Sequence, residues 1–241
     1  MSPKYSLTFL ALSAACMAGW IALRADLGWP AWVFLHAGLS FGLLSLAYAG
    51  AGPSLLLKRA SGRRTVWGRL LFGPYYLLNA ATFSAYRRLS GEPPFAQVGH
   101  NLFFGRRLSA REAEELGCDH VLDLACEFAE AGSLRRRPGY RSLPLLDAAA
   151  PAHEQLREAA AWVADAVKSG PVYVHCALGH GRSVSVVIAY LLSAGLVGTV
   201  AEGVQLLRSL RPGAEPNPAQ LRRLCDYQER TSRGVANSRA Q

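Results

Sequence analysis

The residues able to do chemistry in this sequence concentrate in one short stretch. The apolar run Val172-Tyr-Val-His175 is followed by Cys176-Ala177-Leu178-Gly179-His180-Gly181-Arg182-Ser183, and then by the apolar segment Val184–Ala194. This order predicts a buried strand feeding a glycine-containing loop that opens directly into a helix. Such a loop aims backbone N–H groups and the positive helix end at one point. Gly179 and Gly181 let it curl without Cβ clashes. A concavity of this kind holds an oxyanion, phosphate above all. Cys176 lies at its base. A free thiol has a pKa of about 8.5, lowered to roughly 3.5–7.5 at helix N-termini or beside cations, so Cys176 is expected as a thiolate at neutral pH. Arg182, six residues on, can return over the loop with a planar fork matched to two phosphate oxygens and to charge developing on a transition state. Ser183 can donate a hydrogen bond to the sulfur when it leaves again. A lone cysteine would read as a buried structural thiol; one followed by this turn, Arg182, Ser183 and a helix does not. His175 is expected to support the loop rather than carry a proton, whereas His180 fits a substrate contact and a solvent-facing position equally well.

The segment His175-Cys176-x5-Arg182-Ser183 resembles the signature of the cysteine-dependent protein tyrosine phosphatase superfamily, in its dual-specificity branch. The resemblance covers about residues 96–230, with Arg211-Pro212 and Asn217-Pro-Ala-Gln220-Leu221 similar to the family's C-terminal segment. It implies a phosphocysteine intermediate at Cys176 and phosphate held by Arg182 and by the loop residues Ala177, Leu178, Gly179, His180 and Gly181. It also implies an aspartate on a separate loop that protonates the leaving oxygen and then activates water. Asp147, in Leu143-Pro-Leu-Leu-Asp147 and 29 residues before Cys176, has that place. Asp119 and Asp123 are rival carboxylates, but both belong to a strand pattern, and a mobile loop suits an acid that must approach its leaving group. The implied chemistry is hydrolysis of phosphomonoesters in two steps, with no metal and no cofactor. Its substrates would be phosphoproteins (Tyr, Ser or Thr) or phospholipid head groups. Two other classes remain open: a non-catalytic phosphate-binding module, and a different Cys-loop enzyme such as a rhodanese-like sulfur transferase or an arsenate reductase. The upstream acid and the helix after Ser183 fit a phosphatase better.

The elements that must position these residues alternate. Val98–Arg106 reads as a strand or hairpin. Ser109 and Glu112 form a capping box that starts a helix. His120–Leu124 and Tyr140–Leu146 read as strands. Ala152–Lys168 has helical periodicity and stops at Gly170-Pro171, and Val200–Leu210 and Pro218–Gln228 read as further helices. The expected fold class is therefore α/β, a central sheet flanked by helices. Arg135-Arg-Arg137 reads as a solvated loop, or alternatively as a patch for anionic head groups or phosphopeptides.

The charge pattern divides the chain. Charged residues make up 18% of it, against about 25% in ordinary soluble proteins. Before Lys58 there are only Lys4, Arg24 and Asp26. Residues 6–23 and 31–57 hold no charge across 18 and 27 positions, where a membrane-spanning helix needs about 20. With the polar stretch from Arg24 to Pro30 as a turn, they predict an all-α transmembrane hairpin at residues 1–57. A cleaved signal peptide over residues 1–25 fits less well, because a second apolar run follows at once. The cluster Lys58, Arg59, Arg63, Arg64 and Arg69 predicts that the remainder stays cytoplasmic, at the inner membrane if the source is bacterial. Residues 58–95 form a basic juxtamembrane segment, in which 66–86, broken at Gly73-Pro74, read as an interfacial helix pair or a third span. A phosphatase domain follows at 96–230 and a disordered tail at 231–241. Residues 1–95 hold nine Lys/Arg against two Asp/Glu, and residues 96–241 hold 17 against 15. The basic excess therefore lies beside the membrane and not on the catalytic domain, which argues against a nucleic-acid partner. Five cysteines (16, 118, 126, 176, 225) without a CxxC pair fit reduced thiols rather than a disulfide framework.

Overall fold

The computed structural model describes residues 3–239, with side chains through residue 232. The chain divides into two compact units: one takes in the residues up to Arg59, Arg63–Ser90 and Cys126–Ala129, the other Ala60–Gly62, Gly91–Ala125 and everything from Glu130 on.

The first unit is helical. Helix α1 (Pro3–Leu27) and helix α2 (Trp32–Leu46) are joined by a tight turn at Gly28, whose φ is +61°, and a single 3-10 turn. The stretch from Arg24 was expected to be the turn, yet α1 runs on to Leu27; Arg24, Ala25 and Leu27 all suit a helix, and only Gly28 breaks it. The two helices meet over small residues. Ser13 Oγ donates to Gly38 O at 2.7 Å, and the Ser6 and Ser45 hydroxyls each donate to the other's carbonyl. Small residues at such contacts let two helix backbones approach closely. Both Pro3–Leu27 and Trp29–Ala51 are long and apolar enough to cross a membrane by length and composition. No residue of α1 is buried, and Leu7, Leu10 and Ile21 stand exposed. The second apolar run ends as a helix at Gly50, Gly52 and Pro53. Helices α3 (Val66–Leu71) and α4 (Gly73–Leu89) follow as a pair split at Gly73-Pro74, with Thr65 capping α3.

The second unit is built on a mixed five-stranded sheet. Its strands are β1 (Phe95–Val98), β2 (Leu102–Gly105), β3 (His120–Ala125), β4 (Gly139–Leu145) and β5 (Val172–His175), in the order β1-β2-β5-β3-β4. The first two form the antiparallel hairpin expected around Val98–Arg106, and every other pairing is parallel. Alternation along the central strands assigns the faces. Val172, Val174, Leu122 and Leu124 point into one core with α7 (His153–Ser169), α8 (Arg182–Ser193), α9 (Val200–Leu210) and α10 (Pro218–Arg239). Tyr173 and Val121 point the other way, toward α5 (Ala110–Leu116) and the short α6 (Gly132–Arg135). With both faces covered, β5 is buried throughout, as parallel strands usually are. Helix α10 carries helical backbone to Arg239, through most of the stretch 231–241 where a disordered tail was expected; residues 240 and 241 lie outside the described residues.

Helix α5 starts at the expected capping box: Ser109 Oγ accepts from Glu112 N, and Glu112 Oε2 accepts from Ser109 N at 2.7 Å. Arg106 pairs with the same carboxylate at 2.7 Å. Ser109→Ala is expected to cost about 1 kcal/mol, seen as a lower denaturant midpoint at unchanged m-value.

Candidate active site

Strand β5 delivers the site. Its C-terminal end lies between β2 and β3, at the carboxyl edge of the parallel strands where α/β sheets open a crevice. The chain leaves His175, curls through 176–181 and enters α8 at Arg182. Gly179 has φ +78°, a value L side chains rarely adopt, and a Cβ there would run into Arg211 and the backbone of Gly105.

Cys176 is 3% exposed at the base of this loop. Gly179 N donates to its sulfur at 3.2 Å, and Ser183 Oγ lies 3.5 Å away. Burial pushes the thiol pKa up, but the Arg182 guanidinium and the Ser183 hydroxyl outweigh it, and the net shift is downward. Arg182 is itself 1% exposed. One arm of its fork, Nη1, donates to Leu145 O at 2.9 Å, and the other, Nη2, meets Asp147 Oδ1 at 2.9 Å. Cys176, Arg182, Ser183 and Asp147 are thus one cluster. The rivals lie elsewhere. Asp123 is buried in β3, accepting from Tyr140 Oη at 2.7 Å and from Ala125 N at 3.0 Å. Asp119 lies just outside that strand, at its start.

Behind the loop, His175 Nδ1 donates to Cys176 O at 3.2 Å and Nε2 lies 3.0 Å from Glu130 Oε2, all of it buried. Burial disfavours the imidazolium, but the Glu130 charge overrides it and raises the His175 pKa. The same pairing holds the Glu130 carboxyl below its ordinary range, against its own burial. Asp123, Glu130 and His175 have the donor types and spacing of a metal cluster, but their atoms are already engaged: Ala131 N donates to Glu130 Oε1 at 2.6 Å, and Asp123 and His175 are held as described. On the opposite flank, His180 Nε2 meets Glu92 Oε2 at 2.8 Å, and Arg211, fully buried, meets the same oxygen at 3.0 Å. His180 therefore pairs with a carboxylate, its side chain still partly exposed. The sequence pattern did not mark Glu130 or Glu92. The signal for Glu130 was its place in the loop after β3, a strand that pairs with β5 on one side.

A thiol held low in pKa within a strand–loop–helix cradle, beside a buried arginine, defines a Cys-loop protein built to hold an oxyanion. Residues 102–230 match the family described as "Dual specificity phosphatase, catalytic domain", and the chain belongs to that family. It is 33% identical over 144 residues to human "Dual specificity phosphatase 28", covering 57% of this chain and 79% of that one. It is 40% identical over 62 residues to "Dual specificity protein phosphatase 1" of Arabidopsis thaliana, covering 26% and 31%. Among solved structures, Tk-PTP in its active form superposes with a TM-score of 0.52 at 29% identity, over 57% of this chain and 98% of that one. PTPMT1 in complex with PI(5)P shares the fold, with a TM-score of 0.53 at 18% identity, over 59% and 99%.

The His175–Glu130 pair carries a pH signature. Glu130 has a lowered folded pKa, so its contribution is present above its unfolded pKa and is lost as pH falls through the folded value. His175 has a raised one, so its contribution is present below its unfolded pKa and is lost as pH rises through the folded value. Glu130→Gln is expected to lose about 3–5 kcal/mol near pH 6, measured by denaturant unfolding, with the deficit shrinking at alkaline pH, where the wild-type pair has also lost its imidazolium proton.

Proposed function

We propose that the chain is a membrane-anchored phosphatase that hydrolyses phosphomonoesters through a phosphocysteine at Cys176, on phosphoproteins or phospholipid head groups. The observation that carries this reading is the lowered pKa of a buried thiol set against a buried guanidinium, inside the matching family domain. The substrate's phosphate settles on the loop N–H groups of Ala177, Leu178, Gly179, His180 and Gly181, and on Arg182, displacing the Asp147 carboxylate from Nη2. Asp147, released from the guanidinium, takes up a proton from solvent; the Cys176 thiolate attacks phosphorus, the bond to the leaving oxygen breaks, and Asp147 gives that proton to the oxygen. Asp147 then takes a proton from water, which attacks phosphorus and releases inorganic phosphate. The S–P electron pair returns to sulfur, where Ser183 Oγ and Gly179 N receive it. Asp147, 61% exposed on its side chain, is free to make this exchange in a way a buried carboxylate is not.

The anchor reading rests on two apolar helices, the first without a buried residue, since a helix apolar all round belongs in lipid or in a core. Lys58, Arg59, Arg63, Arg64 and Arg69, which follow the second apolar run in the chain and precede the phosphatase domain, support a cytoplasmic active site. A tether raises the local concentration of lipid phosphates around the site, which keeps phospholipids beside phosphoproteins as substrates.

The test uses the full chain in detergent, with EDTA present, on p-nitrophenyl phosphate, phosphopeptides and phosphoinositide vesicles. Turnover of the aryl phosphate is expected, abolished by Cys176→Ser and lowered about 10²- to 10⁴-fold by Asp147→Ala with tungstate affinity retained. Turnover surviving Cys176→Ser would overturn the proposal. Alkylation of Cys176 by iodoacetate is expected to persist below the ordinary thiol range and to move to higher pH in Arg182→Ala.

A further inference from the structure

We propose that Asn217 and Gln220 are positioning residues that hold the acid loop over Arg182 before substrate arrives. This rests on Asp147 being the acid. After β4 the chain passes Asp147 and continues through Ala148, Ala149 and Ala150 without regular structure, so three small side chains give it little burial to hold its course. Ala148 nonetheless sits at φ +53°, a left-handed conformation that an alanine keeps only under outside constraint.

The constraint comes from the start of α10. Asn217 Oδ1 caps that helix, accepting from Ala219 N at 2.9 Å and Gln220 N at 3.0 Å, which fixes the carboxamide plane and aims its other end outward. There, Nδ2 donates to Ala148 O at 2.8 Å. One turn into the helix, Gln220 is 1% exposed. Its Oε1 accepts from Asn217 N at 3.0 Å and its Nε2 donates to Ala149 O at 3.2 Å. The same amide packs on Gly181 of the phosphate loop, where an added Cβ would come within 2.6 Å of Oε1. Two carboxamides, each using a donor and an acceptor, thus hold consecutive carbonyls of the acid loop. One of them also touches the loop that cradles phosphate. The step they serve is proton delivery to the leaving oxygen, where a misplacement of about 1 Å can cost about 10²-fold.

Leaving-group dependence separates this role from general support of the fold. Asn217→Asp keeps the cap acceptor and removes only the donor to Ala148 O; Gln220→Met keeps volume and removes both amide contacts. In the full chain, each is expected to lower kcat/KM on phenyl phosphate, whose leaving group needs the proton, about 10-fold or more beyond its effect on p-nitrophenyl phosphate. Tungstate inhibition should be unchanged, and combination with Asp147→Ala should add no further loss, as for residues acting as one unit. Equal losses on both esters, additivity with Asp147→Ala, or parallel loss of tungstate affinity would overturn the proposal. Should Gln220→Met fail to fold, Asn217→Asp, which leaves the core untouched, decides alone. An inactive wild type would overturn the phosphatase reading instead, so the two failures are distinct.

Discussion

A thiol and a guanidinium buried side by side, with Cys176 at 3% and Arg182 at 1% exposure, are the pair around which the second unit is arranged. Burial alone drives the Cys176 pKa up, and the net shift is downward because a guanidinium and a hydroxyl face the sulfur, to which Gly179 N also donates. The guanidinium brings the same difficulty with opposite sign. Arg182 is more deeply buried than the sulfur, and an isolated charge there would be expensive. Asp147 and the carbonyl of Leu145 meet it in the absence of substrate. Arg182 thus faces two groups able to carry negative charge, the Cys176 sulfur and the Asp147 carboxyl. A second pair lies behind it: His175 against Glu130, with the Cys176 carbonyl as the link. Neither set would survive at the edge of the sheet. Strand β5 has neighbours on both sides and helices on both faces, which keeps water from Cys176, Arg182 and the His175–Glu130 pair, while Asp147 stays open to solvent.

How much of this was legible in the sequence follows from the range of the interactions. The strand, loop and helix around Cys176 lie within some twenty consecutive residues, so composition and glycine placement disclosed them. The capping box at Ser109 and Glu112 spans one helical turn, and the period of α7 is written in Leu156, Ala159, Ala160 and Val163. Asp147 was found through a family resemblance, and the fold brings it to Arg182. Glu130 left only its place in the loop after β3, and Glu92 left no trace. Glu92 meets residues 88 and 119 positions away, and no local pattern announces a partner at that distance. The four-residue α6 is too short to show a period. The end of α1 lies beyond Arg24 and Asp26 for the opposite reason: their polarity reads as a break, whereas helices tolerate charge and yield to glycine.

Glu92 also bears on where the catalytic unit begins. The matching family domain opens at residue 102, and the alternation of elements in the sequence suggests a start near 96. Yet Glu92, on the connector between α4 and β1, meets both His180 of the phosphate loop and Arg211. Arg211 is fully buried, with its guanidinium in the space a Gly179 side chain would need. Removing the carboxylate that meets it withdraws a counter-charge from a buried cation directly beneath the loop, an imbalance of the kind that costs several kcal/mol. The compact unit accordingly takes in Gly91. The stretch Gly91-Glu-Pro-Pro94, which reads as a spacer because glycine and proline punctuate it, is thereby tied to the Cys176 loop: the prolines limit how far the connector can wander, and the glutamate between them and Gly91 meets His180 and Arg211.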